Sequence, residues 1–180
     1  DNVPGRKAVE DKIRPLMEVG SISSPTMRGN RYFFSKREAS QNQPLVYYRD
    51  GSKGETKLIL DPATIDSSGL VTITWYVPSL DGKRLAYGTY RAGDENATLH
   101  IIDVDTGKKS DFSIPSKVSS VSWLPDGSGL VYRNLADQNN PYSGQVMFIG
   151  MDQDLGKAQT ILRQFTKEEN AKLATTYGPG

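Results

Sequence analysis

No cysteine occurs in the 180 residues, which removes disulfides, thiolate nucleophiles and cysteine-based metal sites from this chain. Cysteine-free proteins occur in reducing and oxidising compartments alike, so the sequence leaves the compartment open, cytoplasmic or periplasmic. There is one histidine, His100, inside the apolar run TLHIID. A histidine in a strand is a structural residue unless a nucleophile and an orienting acid stand beside it. No Gly-x-Ser-x-Gly elbow occurs; PDGSGL at 125–130 has the wrong spacing and reads as a hairpin. Walker loops and Gly-x-Gly-x-x-Gly turns are also missing. Neither sign of charge dominates, with 22 basic and 21 acidic residues, so the basic footprint of a nucleic-acid binder is absent. The one basic pair, Lys108-Lys109, reads as a solvated turn. No apolar run approaches the roughly 18 residues of a membrane span, and the opening DNVPGRKAVEDK has no apolar signal-peptide core. A soluble protein is expected, with no nucleic-acid or membrane partner.

Closely spaced carboxylates do occur, in DVDTG at 103–107 and MDQD at 151–154. Hard cations take such groups, but neither segment has the length or terminal glutamate of an EF-hand loop, and both read as solvated hairpin turns. The NAT at 96–98 fits the glycosylation pattern of secretory proteins. The sequence therefore assigns no catalytic residue, no metal ligand and no cofactor to this chain.

What the chain does contain is alternation. After a helix-like segment at 6–19, RKAVEDKIRPLMEV, in which Pro15 is expected to kink or end the helix, GSISSPTMRG at 20–29 reads as a linker. From Arg31 the hydrophobic period becomes two. Strands are expected in RYFFS, PLVYYRD and TKLILDP, then GLVTITWYV, KRLAYGTYR, ATLHIIDVD and SDFSIP, then VSSVSWL, GLVYRNLA, GQVMFIGMD and AQTILRQF, with polar turns between them. Asp81-Gly82 and Asp126-Gly127 stand 45 residues apart, and the same shift places Leu85 on Leu130 and Tyr87 on Tyr132. Four strands per 40–50 residues mark a β-propeller blade, a small sheet that buries both faces only by stacking on its neighbours.

The expected fold is all-β, with about three four-stranded antiparallel blades at about 29–62, 70–115 and 117–165, the first incomplete, behind a short N-terminal helix. Trp75, Tyr87, Trp123 and Tyr132 are expected in inter-blade core rather than in a ligand cage. Closed propellers need four to eight blades, so three are an arc. Residues 166–180 change character: Thr166 and Glu169 resemble a capping box before a short helix or loop. Substrate contacts stay unassigned, because a one-residue slip in register exchanges the two faces of a strand.

The run VPGRKAVEDKIRPLME, then SSPTMRGNRYFFSKREASQNQPLVYYRDG, then LILDPATI resembles the start of the prolyl oligopeptidase family of serine peptidases. VPSLDGKRLAYG and VSWLPDGSGLVY are similar to that family's second and third blade entries. The resemblance implies a parent that cuts short peptides after proline with an α/β-hydrolase domain lying outside these residues. It also implies a propeller that covers the active site and admits only small peptides. On this reading residues 1–28 are a helical tether toward the catalytic domain and 29–165 a partial propeller, inactive alone, whose partners are the hydrolase domain, the remaining blades and the parent's peptide substrates. Two other readings stand beside it. One is a free-standing binding module whose half-propellers pair into a homo-oligomeric ring through exposed blade edges. The other is a TolB-like scaffold with no peptidase attached.

Overall fold

The computed structural model describes residues 5–17, 19–92, 96–115 and 117–163. Helix α1 spans Arg6–Met17. It runs two residues past Pro15 instead of stopping there, because the proline falls in its last turn, where few backbone bonds remain to be lost. The expected capping box and helix at 166–180 lie outside the described residues.

Among the described residues thirteen strands follow: β1 (Ser21–Ile22), β2 (Thr26–Arg28), β3 (Arg31–Arg37), β4 (Leu45–Asp50), β5 (Thr56–Leu60), β6 (Val71–Pro78), β7 (Arg84–Arg91), β8 (Thr98–Asp103), β9 (Lys109–Ile114), β10 (Ser119–Trp123), β11 (Gly129–Leu135), β12 (Gly144–Gly150) and β13 (Gln159–Arg163). They form three antiparallel sheets in chain order, β1/β2 to β5, β6 to β9 and β10 to β13. A one-turn helix, α2 (Pro62–Ile65), joins the first sheet to the second. Asp61 caps it by accepting from the Ala63 amide at 2.8 Å, and Pro62 occupies the first turn, where no amide donor is needed.

The segment expected as a linker is part of the first blade. β1 and β2 pair in succession with β3, Ser21 opposite Arg37 and Arg28 opposite Arg31, so the fourth place of that sheet holds two short pieces. Pro25 interrupts the strand without ending the pairing, because Ser23 bridges the gap. Its amide donates to Ser35 O at 2.9 Å and its hydroxyl accepts from the Ser35 amide at 2.9 Å.

Two apolar seams hold the sheets face to face. Phe33, Val46, Tyr48 and Leu60 of the first blade meet Leu85, Tyr87, Ile102 and Val104 of the second. Ala86, Leu99, Ile101 and Ile114 of the second meet Val121, Trp123, Leu130, Tyr132 and Ile149 of the third. Neighbours on β7 thus go to opposite seams, Leu85 and Tyr87 to one and Ala86 to the other. This is why RLAYG is apolar at consecutive positions. Among the described residues nothing covers β13 of the third blade, which is exposed throughout, including Ile161 and Leu162.

Candidate functional site

The Asp-Gly turns are built by local hydrogen bonds. Asp81 Oδ1 accepts from Ser79 Oγ at 2.6 Å and from the Lys83 amide at 3.0 Å. Asp126 Oδ1 accepts from the Ser128 hydroxyl at 2.7 Å and its amide at 3.0 Å. The hydroxyl bonds, foremost, hold both carboxyls below the usual aspartate range. Gly82 and Gly127 have φ of 70° and 71°, as such a turn requires.

From these turns the blades are tied together. Arg31 donates to the Gly82 carbonyl at 3.0 Å, to Asp50 Oδ1 at 2.7 Å and to Asp105 Oδ1, with its guanidinium 5.3 Å from the Tyr48 ring. Burial opposes its charge, but the bonds to Asp105 and Asp50 outweigh that and hold its pKa above the ordinary value. Arg84 repeats the link at the next seam, donating to the Gly127 carbonyl at 2.9 Å. The expectations of the sequence gave these arginines no role.

The other singled-out residues serve the fold. His100 Nε2 lies 3.0 Å from Thr89 Oγ1 and its ring packs 5.3 Å from Tyr87. Burial, then Lys109, lowers its pKa and favours the neutral ring. Asp103 closes its own turn by accepting from the Thr106 amide and hydroxyl, and Asp105 is held by Arg31. Among the described residues no three His, Asp or Glu side chains converge in a way that suits a metal. Lys108 and Lys109 are exposed beside a groove of about 450 Å3 that also carries Arg84, Asp103 and Asp111, a mixed-charge surface. Tyr87, Trp123 and Tyr132 are buried in the seams.

Trp75 packs against the second of these seams and has a further surface. It is half-buried and forms a wall of a depression of about 770 Å3 at the second seam, at the end away from the Asp-Gly turns. Its indole lies over Gly88, its cross-strand partner; a Cβ there would fall 2.3 Å from the ring. Thr74, Tyr90, Lys117, Ser119, Arg133 and Pro141 contribute further to the lining. Two strand irregularities shape it, one between Ile73 and Trp75 and one between Ser119 and Ser122. Lys117 (φ 47°) and Ser120 (φ 54°) are left-handed non-glycine residues, an uncommon and costly conformation that clusters at functional sites. The 137–143 loop beside it is closed by Asp137, Asn140 and Ser143 hydrogen bonds and exposes Tyr142. Among the described residues the lining thus offers two cations, two aromatic rings and hydroxyls, and no carboxylate.

Comparison with known proteins places this architecture. The prolyl endopeptidase of Elizabethkingia meningoseptica is 27% identical over 146 residues, covering 81% of this chain and 20% of that protein. A structure from a study of two prolyl endopeptidases, concerned with inter-domain dynamics in catalysis and specificity, superposes with a TM-score of 0.82 at 27% identity, over 91% of this chain and 25% of that one. Prolyl oligopeptidase B from Galerina marginata, bound to a 35mer substrate, shares the fold with a TM-score of 0.76 at 15% identity, over 89% of this chain and 25% of that one. The chain thus spans about a fifth of the length of the curated relatives it matches. The model of the prolyl oligopeptidase N-terminal β-propeller domain matches residues 1–175, and with three blades stacked in its order the chain belongs to that family.

Proposed function

We propose that this chain is the opening arc of the propeller in a serine endopeptidase that cleaves short peptides after proline, and that the propeller restricts which peptides reach the active site. The observation that carries the reading is the match of residues 1–175 to the family's propeller domain. The structure is compatible with it physically. Stacked blades are stiff, so an aperture bounded by them discriminates by size. The depression at the second seam supplies groups that can hold a peptide. In this reading α1, ahead of the first blade, leads from the catalytic domain, and it keeps Val9 and Ile13 exposed as a surface for it. The catalytic serine, aspartate and histidine come from outside these residues, so the chain alone is inactive.

The test has two parts. Mass spectrometry of the native protein, captured with an antibody to this chain, is expected to give a species several times heavier than 19.8 kDa. That species is expected to hydrolyse a chromogenic peptide ending in proline and to leave a folded proline-containing protein intact. A native 19.8 kDa species would refute gating and leave a self-associating binding module. A heavier species without proline-directed hydrolysis would refute the activity.

A further inference from the structure

The geometry points to a peptide-carboxylate site in the depression between the second and third blades, with Arg133 and Lys117 as its anion-binding groups and Trp75 and Tyr90 as its apolar walls. This deepens the proposed peptidase reading and rests on it. The depression, about 770 Å3, is within the roughly 300–1,000 Å3 range of small-ligand sites. Both cations line it and, among the described residues, no acidic residue does. Among the described residues Arg133 and Lys117 take part in no ion pair, whereas Arg31 and Arg91 are paired with aspartates, and the Arg133 guanidinium rests over Gly144.

The two cations come from different strand ends. Arg133 sits near the end of β11, opposite Val146, and is exposed. Lys117 enters β10 with φ at 47°, and the amide of its neighbour Val118 is tied to Ala97 O at 3.0 Å. A lysine thus stands in a strained left-handed conformation on the lining of the hollow. Arginine presents a planar donor fork to a carboxylate and lysine a mobile point charge. The indole of Trp75 and the Tyr90 ring supply apolar surface in the same lining. A peptide residue with an apolar stem and a terminal carboxylate matches this set. Its charge belongs to an internal glutamate or aspartate side chain or to the peptide's C-terminus.

The experiment uses the full-length natural protein and single-proline fluorogenic peptides in matched pairs. One set exchanges glutamate for glutamine at each position flanking the proline, and another exchanges a C-terminal acid for the amide. Both kcat/KM and the Kd read from tryptophan fluorescence are measured. At least one carboxylate is expected to be favoured over its neutral counterpart by about fivefold, as one partly exposed ion pair supplies, and the pair that responds identifies its source. The ratio should fall to about one in Arg133→Gln/Lys117→Gln and return in part in Arg133→Lys/Lys117→Gln. Ratios near one for every pair, or a preference that survives the double substitution, overturn the site. Proline-directed turnover with ratios of one would leave the peptidase reading standing and remove the inference. Carboxylate-dependent binding without turnover would do the reverse.

Discussion

Replacing Arg31 with methionine tests how the blades are joined. Methionine keeps an apolar stem against Tyr48 and removes all the guanidinium donors. The wild-type side chain is 17% exposed, while its partners Asp50 and Asp105 are 45% and 51% exposed. The aspartates can therefore rehydrate when the arginine goes, and the large penalty of an orphaned buried charge does not apply. Each half-exposed pair contributes up to about 1 kcal/mol, and the bond to the Gly82 carbonyl about 1 kcal/mol more. The expected loss is about 2–3 kcal/mol, a fall in Tm of about 4–12 °C for a chain of this size. Arg84→Met removes the equivalent carbonyl bond without a bonded carboxylate pair and should cost about 1 kcal/mol. Urea unfolding of wild type and both variants, in 0.05 M and in about 1 M salt, is the assay, since a Debye length near 3 Å screens the aspartate part and not the carbonyl part. A loss below about 0.5 kcal/mol for Arg31→Met, a larger loss for Arg84→Met, or no narrowing in high salt would refute the reasoning.

Three further outcomes follow from the same geometry. Alanine at Gly127 meets nothing within 4 Å and should cost only the left-handed strain, about 1–2 kcal/mol, whereas alanine at Gly82 also places its Cβ 2.8 Å from Arg28 O and should cost at least about 1 kcal/mol more in denaturant titrations. Gly88→Ala must push the Trp75 indole toward the depression, so a loss of about 1–3 kcal/mol should come with a red-shifted tryptophan emission; an unshifted spectrum would count against the stacking. Because the folded pKa of His100 is depressed below the unfolded value of about 6.5, its contribution is complete above that pH and is lost as pH falls toward the folded pKa. Stability measured across that window should decline less steeply in His100→Gln, and equal slopes would exclude His100 as the source.

The strands were legible because each carries its own alternation and its own turn residues, as in VTITWYVP followed by SLDG. The faces were not. β6 and β10 each carry one extra residue at Ile73/Trp75 and Ser119/Ser122, and beyond each such bulge inward and outward positions exchange. Trp75 follows the first of them: it packs against the second inter-blade core, as expected, and also walls a depression, which was not. The first-blade strand pieces at 21–28 were hidden for a different reason. Serine and proline are poor strand formers alone, and they pair here because β3 offers an edge. The depression itself was beyond reach, since Trp75 and Arg133 are 58 positions apart in the sequence and meet only through blade stacking.

The arginine links did leave a trace in the repeat. Gly29-Asn30-Arg31 and Gly82-Lys83-Arg84 put arginine two residues after the turn glycine, a place where the turn itself asks for no arginine. The third blade has Gly129 there, and any side chain would approach Ile149 O at 2.8 Å and the Phe148 ring at 2.7 Å. The link therefore joins the first blade to the second and the second to the third, with unequal character. At the first seam the arginine binds Asp105 across the seam and Asp50 within its own sheet, so salt weakens it. At the second it binds a neutral carbonyl, and the Trp123 indole donates to Val77 O at 2.9 Å beside a larger apolar core. Rising ionic strength should accordingly loosen the first seam before the second, giving faster amide exchange in β3 and β4 while β11 and β12 stay protected.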